Sequence, residues 1–266
     1  MRQFISTTTL VEPVLAIVRA AGLSIMEIYT RLAEDGMSSM VVGTKEDDSP
    51  LTQADLIAHH IIAEGLTRLT PDIPVVSEED ADSLVHRQAQ GIFWLIDPLD
   101  GTKEFLAHND EFTVNIALIK DGTAVFGAVG APALDLTYWG GIGIGVFRSC
   151  NGTIESIHVS QPDRQRPLRI VASKSHMNAD TAAFIKKLGP HEFMQAGSSL
   201  KLCRVAEGAA DCYPRLGPTC EWDTAAAQAI VESAGGHVYQ LDGEPLRYGK
   251  ADLLNPYFVA SAEILI

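Results

Sequence analysis

The apolar run Ile92-Phe93-Trp94-Leu95-Ile96 passes directly into Asp97-Pro98-Leu99-Asp100-Gly101-Thr102, so a buried strand ends by delivering two carboxylates into one tight turn. Pro98 fixes φ between the two acids, and Gly101 is able to take a positive φ. Such closely spaced carboxylates repel each other unless a cation lies between them, and oxygen donors suit hard divalent metals. Asx-turn and helix-cap duty is the commoner fate of aspartates at a strand end. Glu78-Glu79 at the end of another apolar stretch (residues 73–76), and Asp223 opening a helix behind Trp222, shift the balance toward a metal site. The pattern points to a metal-dependent enzyme, with phosphate chemistry leading.

With 266 residues and 46% hydrophobic content, the chain is globular and large enough for one big domain or two closely packed halves. A net charge of −14 argues against binding a nucleic-acid polymer, whose usual footprint is a basic stripe. An acidic chain can still hold a phosphorylated small molecule if divalent cations bridge the two. Cys150, Cys203, Cys212 and Cys220 form no C-x-x-C pair and read as reduced thiols, which suits a cytoplasmic setting. The first residues lack the apolar core of a secretory leader, so none is expected. The best transmembrane candidate, residues 124–147, carries Pro132, Asp135 and many glycines and reads as paired strands, so no transmembrane segment is expected.

Helical spacing covers residues 10–33, followed by a turn-rich loop over 43–50. Thr52 and Asp55 make a T-x-x-D start to a helix that Pro71 stops. Strands are predicted over 73–76, 92–96, 112–120, 123–129 and 136–147, with Asp121-Gly122 as a hairpin turn. Later come a strand at 168–172, a helix capped by Asn178, a helix at 198–208, a strand at 211–213 and a helix at 222–234 ending at Gly235-Gly236. Gly141-x-Gly143-x-Gly145 precedes no helix and reads as a hairpin, not a dinucleotide loop. His59-His60 lie inside a helix without metal-ligand spacing to another histidine.

Ser77-Glu78-Glu79, the 97–102 run and Trp222-Asp223-Thr224-Ala225-Ala226 resemble the signature segments of the lithium-sensitive, magnesium-dependent phosphatases of the inositol monophosphatase superfamily. Asp48-Ser49-Pro50, Thr102-Lys103-Glu104-Phe105, Gly197-Ser198-Ser199-Leu200-Lys201, Tyr213-Pro214-Arg215 and Leu254-Asn255-Pro256 look most like its 3′(2′),5′-bisphosphate nucleotidase branch. The resemblance spans nearly the whole chain. It implies an α/β fold, a layered αβαβα sandwich of two closely packed halves: residues 1–155 with most metal ligands, and 156–266 with substrate contacts and Asp223. It also implies two or three Mg²⁺ ions, inhibition by Li⁺, and 3′-phosphoadenosine 5′-phosphate as the substrate, cleaved to AMP. A peripheral association with the inner membrane is a further implication, and the oligomeric state stays open.

Carried over residue by residue, the resemblance gives one metal to Glu78, Asp97 and the Leu99 carbonyl, and a second to Asp97, Asp100 and Asp223. Gly101 and Thr102 would offer amides to the phosphate at a helix start. Asp55, which also suits a capping box, would pair with the Thr102 hydroxyl as general base. Lys201 and Arg215 are either solvated charges or holders of a second phosphate, with Ser198 and His176 as further contacts. Glu221, beside Trp222-Asp223, departs from the neutral residue expected there and leaves the charge near the second metal open. An inositol or sugar phosphatase of the same fold, or a nucleotide sensor without turnover, are the alternatives.

Overall fold

Along the strand Ile92–Asp100, successive side chains enter two different cores: Phe93 and Leu95 one, Trp94 and Ile96 the other. A strand apolar on both faces needs a layer on each side, and this requirement sets the architecture. The computed structural model describes residues 7–35, 41–44, 50–161, 163, 165–173 and 178–265. In chain order, the elements up to the end of the first sheet are α1 (Thr7–Asp35), β1 (Val41–Thr44), β2 (Pro50–Thr52), α2 (Gln53–Leu69), β3 (Val75–Ser77), β4 (Ile92–Asp100), α3 (Thr102–Leu106), β5 (Thr113–Lys120), β6 (Thr123–Ala131), β7 (Leu136–Gly141), β8 (Gly145–Cys150) and β9 (Thr153–Ser156). The remainder are β10 (Leu168–Ala172), α4 (Ala179–Lys187), β11 (His191–Gln195), α5 (Leu200–Ala206), β12 (Cys212–Arg215), α6 (Glu221–Ser233), β13 (His237–Gln240) and β14 (Phe258–Ser261).

Strands β3 to β9 form a seven-stranded sheet in sequential order, antiparallel except for the parallel β3–β4 pair. A second sheet runs β11-β10-β12-β14-β13. On the outer face of the large sheet, Leu10, Val14, Val18 and Ile25 of α1 and Ala58, Ile62 and Leu66 of α2 pack with Trp94, Ile96 and Ile116. On its inner face lie Leu202 and Cys203 of α5 and Ala226 and Ile230 of α6, which also meet Val171, Tyr213 and Ala260 of the second sheet. Ile170, Cys212 and Val259 point the other way and are covered by Ile185 of α4. Helices, sheet, helices, sheet and helix thus stack as the expected αβαβα sandwich. Gly127 sits where α6 crosses the large sheet: a Cβ there would lie 2.0 Å from the Ala226 carbonyl oxygen.

The expected strand over 136–147 is the two strands β7 and β8, folded at the glycine-rich hairpin. Strands β11, β13 and β14 carry no period-2 signal long enough to read, and β1 and β2 pair across the two ends of the expected loop at 43–50. The one span among the described residues that is long and apolar enough to cross a membrane is Thr7–Leu32 of α1, not 124–147, which forms strands. By length and composition a core helix meets the same criterion, and the buried stripe of α1 lies on the large sheet. None of the four cysteines is in a disulfide.

Candidate active site

Strand β4 continues through both acids to Asp100, beyond the expected end at Ile96. In the β4–β5 ladder Asp97 faces Asn115, and Asp100 faces Thr113. Three steps along β4 therefore match two along β5, so one residue is extra, and Pro98, with no N–H to give, lies in the bulge. In a regular strand, residues three apart point to opposite faces. The bulge brings Asp97 and Asp100 into one cleft while Leu99 is buried on the α1–α2 side. Asp97 also makes the plainer bond considered above, its Oδ1 accepting the Leu99 N–H at 3.1 Å.

Glu78 enters the same cleft because β3 runs parallel to β4, and its N–H donates to the Ile96 carbonyl at 3.3 Å. Asp223 arrives from the first turn of α6, where its Oδ2 accepts the Cys220 N–H at 2.8 Å. Gly101, at φ +91°, caps α3, and a Cβ there would stand 2.1 Å from Ser198 Oγ. Thr102 is buried at the start of α3, and its hydroxyl lies 3.2 Å from Asp55 Oδ1 and 3.4 Å from the Leu99 carbonyl oxygen. Asp55, fully buried in α2, serves the capping box as well: its Oδ2 accepts the Thr52 N–H at 2.8 Å.

Five carboxylates line one cleft with Leu99: Glu78 just past β3, Asp97 and Asp100 of β4, Glu104 of α3 and Asp223 of α6. Among the described residues they do not converge on one point at ligand distance. The hydrogen bonds on Asp97, Asp100 and Asp223, and their mutual repulsion, account for the spread. Burial pushes the Asp223 carboxyl well above the ordinary carboxylate range, and repulsion by Asp100 and Glu78 pushes it further. A buried acid held against two others is the setting a divalent cation relieves, and the all-oxygen donor set fits a hard one.

Lys201 and Arg215 line the cleft too. Lys201 is buried, its ammonium 5.8 Å above the Tyr213 ring, and burial pushes it down to about 8. Arg215, half-buried, donates from Nη2 to the Pro218 carbonyl at 2.8 Å, and its buried Nε has no partner among the described residues. Ser198, at φ +46°, turns its Oγ to the carbonyls of Asp100 and Glu111 at 2.9 and 2.8 Å, which fastens the Asp100–Gly101 turn. His176 lies outside the described residues. Glu221 is fully buried outside the cleft lining, where Gly249 and Lys250 amides, the Lys250 ammonium and Arg87 surround it. Its charge is thereby answered by Arg87 and Lys250. His59 holds Ser77 Oγ at 2.8 Å through Nδ1.

Sequence reasoning passed over Ser199 and Asn115, both buried against Asp100. A lone asparagine between Val114 and Ile116 in an apolar strand is the signal that marks Asn115. Ser199 had only its place in the Gly197-Ser198-Ser199 run.

The fold and a carboxylate-lined cleft at element ends define a phosphatase class. The inositol monophosphatase family model matches residues 8–264, and the chain belongs to that family, whose enzymes are metal-dependent phosphatases. It is 46% identical to the 3′(2′),5′-bisphosphate nucleotidase CysQ of Salmonella typhimurium, over 94% of this chain and 98% of that one. To the protein of the same name from Escherichia coli K12 it is 45% identical, over 95% and 99%. The crystal structure of CysQ from Bacteroides thetaiotaomicron superposes with a TM-score of 0.81 at 37% identity, covering 97% of this chain and 99% of that one.

Proposed function

We propose that the protein is a Mg²⁺-dependent 3′(2′),5′-bisphosphate nucleotidase that releases the 3′-phosphate of 3′-phosphoadenosine 5′-phosphate and leaves AMP. The observation that carries this reading is a single cleft lined both by the acids Glu78, Asp97, Asp100 and Asp223 and, from the second half, by the cations Lys201 and Arg215, with Glu104 and Lys103 also on its wall. A polyol monophosphate calls for one anion site and hydroxyl acceptors. A guanidinium and an ammonium in addition suit a second phosphate. The nucleotidases at 45–46% identity support the same reading.

In this proposal Glu78, Asp97 and the Leu99 carbonyl would hold one Mg²⁺, and Asp97, Asp100 and Asp223 would hold another. Bound there, the cations would neutralise phosphoryl charge and supply Lewis acidity. Thr102 Oγ1 takes a proton from the attacking water as its own passes to Asp55 Oδ1, 3.2 Å away. The first turn of α3 directs the Gly101 and Thr102 amides to the transferred phosphate. Lys201 and Arg215 hold the phosphate that is not cleaved. Most of the lining acids come from residues 1–155, and Lys201 and Arg215 from 156–266, so substrate lies between two halves. Asp55, Thr102 and the four acids assigned to the metals are present in one arrangement, which favours an enzyme over a sensor without turnover.

Phosphate release tests the reading directly. Turnover should require Mg²⁺, prefer the bisphosphate to inositol 1-phosphate, and vanish in Asp97→Asn. Release that survives complete chelation, or a preference for inositol 1-phosphate, refutes it.

A further inference from the structure

Ser199 precedes α5 and is 2% exposed. Its N–H donates to Asp100 Oδ2 at 2.7 Å, and its Oγ lies 3.0 Å from that same oxygen and 2.8 Å from the Asp223 carbonyl oxygen. From β5, Asn115 Nδ2 donates to Ser199 Oγ at 2.9 Å and reaches Asp100 Oδ2 at 3.4 Å. One small side chain therefore touches β4, β5 and α6 together.

A serine hydroxyl donates one hydrogen and accepts with its lone pairs. Asn115 fills an acceptor position, and the Ser199 amide already serves Asp100, so the hydroxyl hydrogen is left to share between Asp100 and the Asp223 carbonyl. The two acids belong to elements far apart in sequence, and repulsion drives them apart: the Asp223 carboxyl is buried within reach of the Asp100 charge.

We propose that Ser199 is a positioning residue that sets the spacing between Asp100 and Asp223, and through it the affinity for the cation these two share, with Asn115 as its support. The proposal rests on the two-cation reading above. Metal ligands are commonly oriented by outer hydrogen-bond partners whose loss costs about 10- to 100-fold in metal affinity.

Calorimetric titration of Mg²⁺ into the full chain tests this without relying on turnover. Ser199→Ala keeps the amide bond to Asp100 and should weaken the weaker of two Mg²⁺ sites by about 10- to 100-fold. Asn115→Ala should move the same site in the same direction by less. At saturating Mg²⁺, KM for the bisphosphate should stay within about twofold of wild type, since neither residue is assigned to substrate. A purely structural role would lower thermal stability and leave Mg²⁺ affinity alone, and that result in Ser199→Ala overturns the proposal. If Ser199→Ala does not fold, unaltered Mg²⁺ affinity in Asn115→Ala overturns it. An unmutated chain without a second Mg²⁺ isotherm brings down the two-cation reading itself, so the two failures are distinguished by which protein shows them.

Discussion

Arg215→Ala tests whether the cleft reads a second phosphate. The guanidinium donates to the Pro218 carbonyl at 2.8 Å, while its buried Nε has no acceptor among the described residues. A neutral-acceptor bond contributes about 1 kcal/mol, and a buried donor without a partner costs about 1–3 kcal/mol. The two offset, so truncation should leave thermal stability nearly unchanged. The loss appears on binding, where a charge-assisted bond to phosphate is worth about 1.5–3 kcal/mol. At about 1.4 kcal/mol per factor of ten, kcat/KM for 3′-phosphoadenosine 5′-phosphate should fall about 10- to 150-fold. Hydrolysis of 3′-AMP and inositol 1-phosphate, which fill only the acid-lined part, should change little. The assay is phosphate release on all three substrates, with a melting curve on the same preparation. An equal loss on every substrate at unchanged stability would refute the argument, because Arg215 would then act on the reacting phosphate.

Thr102→Ala removes the proposed proton relay, so kcat should fall about 10²- to 10⁴-fold while Mg²⁺ affinity by calorimetry stays near wild type; a parallel loss of Mg²⁺ affinity would make Thr102 structural. Gly101→Ala forces a side chain to φ +91° and against Ser198 Oγ, which should cost about 2 kcal/mol or more and lower Tm by about 4 °C or more; an unchanged melting curve would show that the turn relaxes freely. Burial pushes Lys201 down to about 8, against the pull of Asp100 and with the Arg215 charge adding to the shift. Its ammonium is charged below that pH and neutral above it, so the preference for bisphosphate over 3′-AMP should decline as pH rises through about 8. Lys201→Arg, which stays charged, should keep the preference; a selectivity ratio flat from about pH 7 to 9.5 in the unmutated enzyme would refute the role.

Several decisive elements were legible because their physics is local. Thr52 with Asp55 starts a helix through hydrogen bonds three residues apart, and Asp121-Gly122 turns the β5–β6 hairpin. The Gly235-Gly236 stop and the Asn178 cap are local in the same sense. The 97–102 run announced both its acids and the glycine that takes a positive φ. Short strands such as β11 and β14 were not legible, because four or five residues carry too little periodicity and their pairing partners lie far along the chain. Tertiary structure alone decided how the acids face. By strand alternation Asp97 and Asp100 belong on opposite sides, and only the extra residue in the ladder against Asn115 and Thr113 turns both into one cleft. Asp55 could be read as a cap, but its second oxygen reaches Thr102 only because α2 packs against the end of β4. Ser199 carried no signal of its own, since its bonds join residues brought together from three distant elements. Sequence determines what bonds within a turn or along a period; contacts between distant segments depend on the packing that brings them together.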